Sequence, residues 1–208
     1  MITKKPFAQP KRKDLSFLFP FAFLLFIGQY SFGQSMALSK GATAPLFTAK
    51  ASQSGNEFDF SLKKALDKGP VVLYFYPSAY TGGCDLEAHT FATLKDSFTM
   101  AGATIIGVSA DDIERLKSFS SSPDYCAGKF PVASDSAGEI AASYGLKVRP
   151  AQAGAKDVRG EQITHGFIPR ITFVINKDDK IVAVFSSETD HISPDEHVKK
   201  SLAIVRGM

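Results

Sequence analysis

Apolar runs with the short period of strands alternate along this chain with stretches whose apolar positions recur every three or four residues, a pattern that predicts an α/β domain. Phe47 to Ala51 and Glu57 to Phe60 read as a short hairpin around the turn-forming residues Ser52-Gln53-Ser54-Gly55-Asn56. Ser61 can cap a helix of one or two turns that Gly69 ends. Val71 to Tyr76 holds no charge and shows no alternation, so it is expected to be a central strand covered on both faces. From Cys84 the period lengthens, with Cys84, Ala88, Phe91, Leu94 and Phe98 at helical spacing. Cys84 opens that stripe, which aims its sulfur at the edge of the core. Thr104 to Ala110 is a second apolar strand, and Ile113, Leu116 and Phe119 place a helix after it. Phe130 to Ala133 gives a third strand, and Ile140, Ala141 and Tyr144 a third helix ended by Gly145. Residues 147 to 167 form a polar, glycine-containing excursion without a clear period. Ile171 to Ile175 and Ile181 to Phe185 flank a five-residue loop and read as a second hairpin. Ser193 as cap, Pro194 at the first helical position and Glu196 open a final helix whose apolar face is Val198, Leu202 and Val205. The expected architecture is a sandwich with a mixed central β-sheet flanked by helices.

Composition adds a boundary and removes a function class. The 208 residues are 44% hydrophobic and 22% charged, in the range of an ordinary globular domain with a sizeable core. Residues 1 to 14 carry a net +4, and the run from Leu15 to Ile27 follows without a charge. Ser35-Met36-Ala37 supplies small residues for a signal peptidase, so 1–37 is read as an export signal, with cleavage after Ala37 ahead of retention as an outward-facing membrane anchor. A start at Met36 would instead give a cytoplasmic protein. The expected location is therefore outside the cytoplasm, the periplasm or the outer side of a membrane, with residues 38–208 as the working domain. Without the first 14 residues the net charge of +3 becomes −1, which removes any polycation argument for nucleic acid.

The candidate chemistry sits where the first central strand meets its helix. In Tyr76-Pro77-Ser78-Ala79-Tyr80-Thr81-Gly82-Gly83-Cys84, Pro77 lacks an amide proton and rigidly ends the strand. Gly82 and Gly83 leave amides uncovered at a helix start, where they act as anion donors. Thr81 lies about one turn before Cys84, with a hydroxyl able to donate to the sulfur or to a bound oxygen. A thiol at a helix N-terminus beside a cation gains thiolate character. These residues read as a nucleophile with a small oxyanion cradle. Cys126 is the one other cysteine, and in an exported protein the bland alternative is a structural disulfide. His89, His165, His191 and His197 lack ligand spacing and read as surface or core residues, with no metal assigned. Asp111-Asp112 reads as a helix-start pair rather than a catalytic dyad.

Pro77, Thr81 and Cys84 together match Pro-x-x-x-Thr-x-x-Cys, and the constellation resembles the peroxiredoxin family. Cys84-Asp85-Leu86-Glu87-Ala88 is similar to the Cys-Thr-x-Glu-Ala run of its peroxiredoxin Q or bacterioferritin comigratory protein subfamily. Arg170-Ile171-Thr172-Phe173 and Gly41-Ala42-Thr43-Ala44-Pro45-Leu46-Phe47 are similar to two further stretches of the family. The resemblance spans about residues 40–205. It implies a thioredoxin-like fold and a thiol peroxidase without a cofactor, acting on hydrogen peroxide and organic hydroperoxides. Cys84 would attack the peroxide. Arg170 would lower the thiol pKa and stabilise the departing oxygen, Thr81 and the amides of Gly83 and Cys84 would align the peroxide, and Glu87 would orient Arg170. Cys126, 42 positions on, resembles the resolving cysteine of one branch of the subfamily. Its sulfur is expected to reach Cys84 only through movement of a helix end. Gly82 departs from the proline common at that position, and His89 stands where another branch places its resolving cysteine. A thioredoxin-like dithiol reductant and a monomer or weak dimer complete the implied picture. A thiol-disulfide oxidoreductase or a non-enzymatic redox-sensing module would share the fold.

Overall fold

In the computed structural model, which describes Met1, Thr3 and residues 36–208, seven strands form one mixed sheet in the order β2-β1-β5-β4-β3-β6-β7. These are β1 (Thr48–Gln53), β2 (Asn56–Ser61), β3 (Val71–Phe75), β4 (Thr104–Ser109), β5 (Val132–Ser134), β6 (Ile171–Ile175) and β7 (Ile181–Ser186). The helices are α1 (Leu62–Leu66), α2 (Gly82–Met100), α3 (Ile113–Ser121), α4 (Glu139–Ser143) and α5 (Pro194–Arg206). The expected order of strands and helices is therefore observed. The expected export segment lies outside the described residues except at Met1, Thr3, Met36 and Ala37. Among the described residues no helix is long and apolar enough to cross a membrane.

Strand β3 lies at the centre, parallel to β4 and antiparallel to β6, and all five of its residues are buried. Its side chains alternate between two apolar layers. Val71, Leu73 and Phe75 join Leu62 and Leu66 of α1 and Ala141 of α4, while Val72, Tyr74 and Tyr76 join residues of α2, α3 and α5. Cys84 and Cys126 both belong to the second layer. The Tyr74 ring crosses β4 at Gly107, where an added Cβ would stand 2.6 Å from the ring, so the glycine makes room for the aromatic cluster.

Helix boundaries follow the local chemistry. Ser61 accepts from the Lys64 amide at 3.4 Å to start α1, and Asp112 accepts from the Arg115 amide at 2.7 Å to start α3. Helix α2 ends with Gly102 in the left-handed region (φ +71) and the Ala103 amide donating to the Phe98 carbonyl at 2.9 Å, a Schellman closure. Two expectations move. The first hairpin turns on two residues rather than five, because Ser54 (φ 53) and Gly55 (φ 78) both adopt positive φ and let Gln53 pair with Asn56. The third strand shifts by about one residue pair, to Val132–Ser134, because it aligns with Gly107–Ser109 of β4 and Ala51–Ser52 of β1.

Candidate active site

The register of β3 against β6 sets the site. Phe75 pairs with Ile171, so Arg170 emerges beside the end of β3, where Pro77 starts the loop to α2. Cys84 lies in the first turn of α2 and is 2% exposed. Arg170 Nη2 donates to Cys84 Sγ at 3.1 Å, and Nη1 donates to Glu87 Oε2. Glu87 follows Cys84 by three residues, so one helix face carries both partners of the guanidinium. An added Cβ at Gly83 would stand 3.2 Å from Arg170 Nη2, so this glycine leaves the guanidinium its path to the sulfur. Arg170, Cys84 and Glu87 are thus in direct contact, with Pro77 and Thr81 on the loop that leads into α2.

Three details differ from expectation. Burial pushes the Cys84 thiol above its ordinary pKa, and the pull of Arg170, the Thr81 side chain and the Ser78 backbone does not fully offset it. The sequence conveys the cation but neither the completeness of burial nor the share of its charge taken by Glu87. Thr81 Oγ1 donates to the Ser78 carbonyl at 2.8 Å, so its hydroxyl also fixes the loop while it adds to the pull on the sulfur. Of the two expected anion donors, the Cys84 amide bonds the Thr81 carbonyl at 2.8 Å; the Gly83 amide has no protein partner among the described residues.

Burial also raises the Glu87 carboxyl to about 7 against the opposing pull of Arg170, and Glu87 Oε1 is buried without a partner. Arg170 stays charged: burial works against it, but Glu87 and Cys84 raise its pKa further. Behind it, His197 is fully buried between Thr172 Oγ1 and Ser187 Oγ, each 2.9 Å from a ring nitrogen. Burial and the Arg170 charge lower His197 to about 4, so it is neutral. An open cleft of about 490 Å³ reaches Arg170 and Pro77 between Arg149, Pro150, Phe167 and Ile168.

Cys126 is fully buried in the turn between α3 and β5, outside any helix, and is not bonded to Cys84. Burial raises its thiol pKa well above the ordinary value, with the Asp85 charge adding to the effect. Aromatic packing ties its turn to the loop before α2, since the Tyr80 ring meets Tyr125 and Phe119 edge-on at 5.2 and 5.1 Å. Tyr80 holds a positive φ of 59, and Arg159 lies over its ring at 3.3 Å. Such a backbone costs about 1–3 kcal/mol and persists only where its surroundings impose it.

The sequence reading missed a polar cluster behind the loop. Asp111 is buried rather than a helix-start partner of Asp112. It accepts from the Ala79 amide (2.8 Å), Ser109 Oγ (2.7 Å), Arg115 Nε (2.7 Å) and Ser78 Oγ (3.1 Å). Arg115 Nη2 donates to the Ala79 carbonyl at 2.9 Å and to Asp157 at 2.8 Å, drawing in the polar excursion. His165, on that excursion, completes the cluster. One signal was available: Asp111 and Arg115 stand at i,i+4 beside the apolar Leu116 and Phe119.

Gly82, by contrast, is at the first helical position of α2 with open space around it. Thr81 before it is extended (φ −126, ψ 137), which a following proline requires. Gly82→Pro is therefore expected to stabilise the protein by about 0.4–1 kcal/mol, read as a higher urea midpoint at unchanged slope.

Residues 40–184 match the AhpC/TSA family model. A crystal structure of peroxidoxin BcpB from Mycobacterium tuberculosis is 32% identical, with a TM-score of 0.67 over 82% of this chain and 98% of that one. Peroxiredoxin Q of Sedum lineare is 30% identical over 172 residues, which are 82% of this chain and 80% of that protein. The bacterioferritin comigratory protein of Xanthomonas campestris, solved in a study of its alkyl peroxide reduction, is 26% identical. Its TM-score is 0.60, over 83% of this chain and 98% of that one.

Proposed function

Because this chain belongs to the AhpC/TSA family, among peroxiredoxins of the Q and bacterioferritin comigratory type, we propose that Cys84 is its peroxidatic residue and Cys126 its resolving one. The protein is a thiol-dependent peroxidase. The observation that carries the assignment is the Arg170 guanidinium, which contacts Cys84 Sγ at 3.1 Å while Glu87 holds its other arm. Once ionised, the sulfur attacks one peroxide oxygen in line, forming an S–O bond as the O–O bond breaks. The departing oxygen gains negative charge and leaves as water or an alcohol after taking a proton. Arg170 contacts the attacking sulfur, and in this reading it also stabilises the charge on the departing oxygen, with the Gly83 amide as a further donor to charge that moves. Arginine suits this task because its planar fork serves two partners at once.

Cys84 then carries a sulfenic acid. Attack by the Cys126 sulfur forms an S–S bond, breaks the S–O bond and releases water. Bridging requires the two Cα atoms within roughly 7 Å; both thiols start free and buried in one apolar layer, and in this reading the turn around Cys126 or the first turn of α2 moves to join them. A dithiol protein of the thioredoxin type would reduce that bond, and a monomer or weak dimer suffices for an intramolecular one. The charged and then apolar N-terminal pattern supports export. A general disulfide oxidoreductase is not favoured, because Thr81 stands where Cys-x-x-Cys would need its first thiol.

The test is to add one equivalent of hydrogen peroxide to the reduced protein and map its thiols by mass spectrometry. Rapid peroxide loss with a Cys84–Cys126 bond is expected, and Cys126→Ser should stop at a dimedone-reactive Cys84. A sulfenic acid that persists in the wild type, with Cys126 untouched, would remove the resolving role. Absence of any peroxide loss would remove the peroxidatic one.

A further inference from the structure

We propose that His165, as an imidazolium paired with Asp111, is a positioning residue for Cys84. In this role it latches the catalytic loop 77–81 to the polar excursion, and the reactivity of Cys84 follows its protonation. The inference rests on the peroxidase reading for its biological meaning, but its geometry is independent of it.

His165 Nε2 is 2.8 Å from Asp111 Oδ1, and Nδ1 is 2.9 Å from the Gly166 carbonyl. Both partners can only accept: Asp111 already takes four donors from the protein and is ionised, its pKa lowered although burial works against this. A neutral imidazole has one N–H, so two acceptors at these distances require two ring protons. Burial opposes the charge on His165, but Asp111 and the Gly166 carbonyl more than offset it, and Arg115 takes back part of the gain. Beyond Arg115, the ion-pair chain continues to Asp157, which Arg115 and Arg159 both hold at 2.8 Å.

Loss of the Nε2 proton has a local consequence. It leaves a lone pair 2.8 Å from a buried carboxylate, and the nearest other hydrogen is that of Ser78 Oγ, 3.3 Å from Nε2 and 3.1 Å from Asp111. Relief comes from turning the Ser78 hydroxyl or parting the two segments. Ser78 also supplies the carbonyl that fixes Thr81, three residues before Cys84. The excursion runs on from His165 into Phe167 and Ile168, which wall the cleft. Because the folded-state pKa of His165 is raised, the latch is complete below about 6.5 and is lost as pH rises through the folded value.

The experiment uses the full-length wild type, His165→Gln and His165→Phe. An NMR titration of the ring is combined with the pH profiles of two Cys84 reactions, with hydrogen peroxide and with iodoacetamide, each normalised to thiolate content. The wild-type ring is expected to titrate above 6.5, with normalised Cys84 reactivity falling about three- to tenfold over the same range, the scale of a sub-ångström misplacement. His165→Phe should show the low value throughout. His165→Gln keeps a donor to Asp111 and does not titrate, so it should recover most of the rate and lose the inflection. A ring that is neutral at pH 6, or an inflection that survives in His165→Gln, would overturn the latch. So would a phenylalanine variant that is less stable yet keeps the wild-type profile. Failure to consume peroxide, with the iodoacetamide inflection intact, would sink the peroxidase reading alone.

Discussion

Replacing Arg170 with methionine is expected to slow the reaction of Cys84 with hydrogen peroxide by about a hundred- to a thousandfold, the scale of removing one preorganised donor from developing charge. The guanidinium is the strongest of the groups that pull the Cys84 thiol down against its burial. Methionine fills similar space without the charge, so the pH midpoint of Cys84 alkylation should move up as the peroxide rate falls. Glu87, left without its cation in a fully buried site, will take up a proton, which limits the loss of stability. Lysine at the same position should recover only part of the rate, because a point charge cannot face Cys84 and Glu87 with separate arms. Competition kinetics against a peroxidase of known rate would check this. A methionine variant within tenfold of wild type would mean that the 3.1 Å contact does not serve the chemistry.

Glu87→Ala is expected to have the largest effect on stability, a loss of about 3–5 kcal/mol, because it leaves the Arg170 charge buried without its partner. The carboxylate is fully buried and the arginine side chain only 10% exposed, so water cannot readily replace the pair. Glu87→Gln retains an acceptor and should cost less, about 1–2 kcal/mol. The two forms also separate in pH dependence. In the folded protein Glu87 is raised from 4.5 to about 7, so the native state binds this proton more tightly than the unfolded chain does. Wild-type stability should therefore gain from this group as pH falls from about 7 toward 4.5, and Glu87→Gln should lack that gain. Urea unfolding at pH 5 and pH 8 measures both effects. Equal slopes against pH in the two proteins would contradict the assigned titration.

Much of this arrangement was legible in the residues. The charge-free run at Val71–Phe75 marked the central strand, the stripe from Cys84 to Phe98 marked α2, and Ser193-Pro194 with Glu196 marked the start of α5. These signals are local, so periodicity and capping chemistry express them directly. The candidate site was readable through its resemblance to a family, because Pro77, Thr81 and Cys84 are close in sequence. Arg170 has no such neighbour; only the pairing of β3 with β6 shows why a residue 86 positions away touches the sulfur. What stayed hidden depends on the assembled interior. The upward push on the Cys84 thiol comes from burial, which no single segment determines. Asp111 and His165 are 54 positions apart and meet through an excursion that has almost no regular structure.

The two apolar layers on opposite sides of the sheet have a further consequence. Both sulfurs lie in the slab shared with α2, α3 and α5, and none lies in the slab shared with α1 and α4. In the proposed cycle a bond drawn between them would deform only that half of the interior, while the sheet stands as a bulkhead in front of the other. The undisturbed half can then serve as a mould, against which the working half resets each time the link is cut.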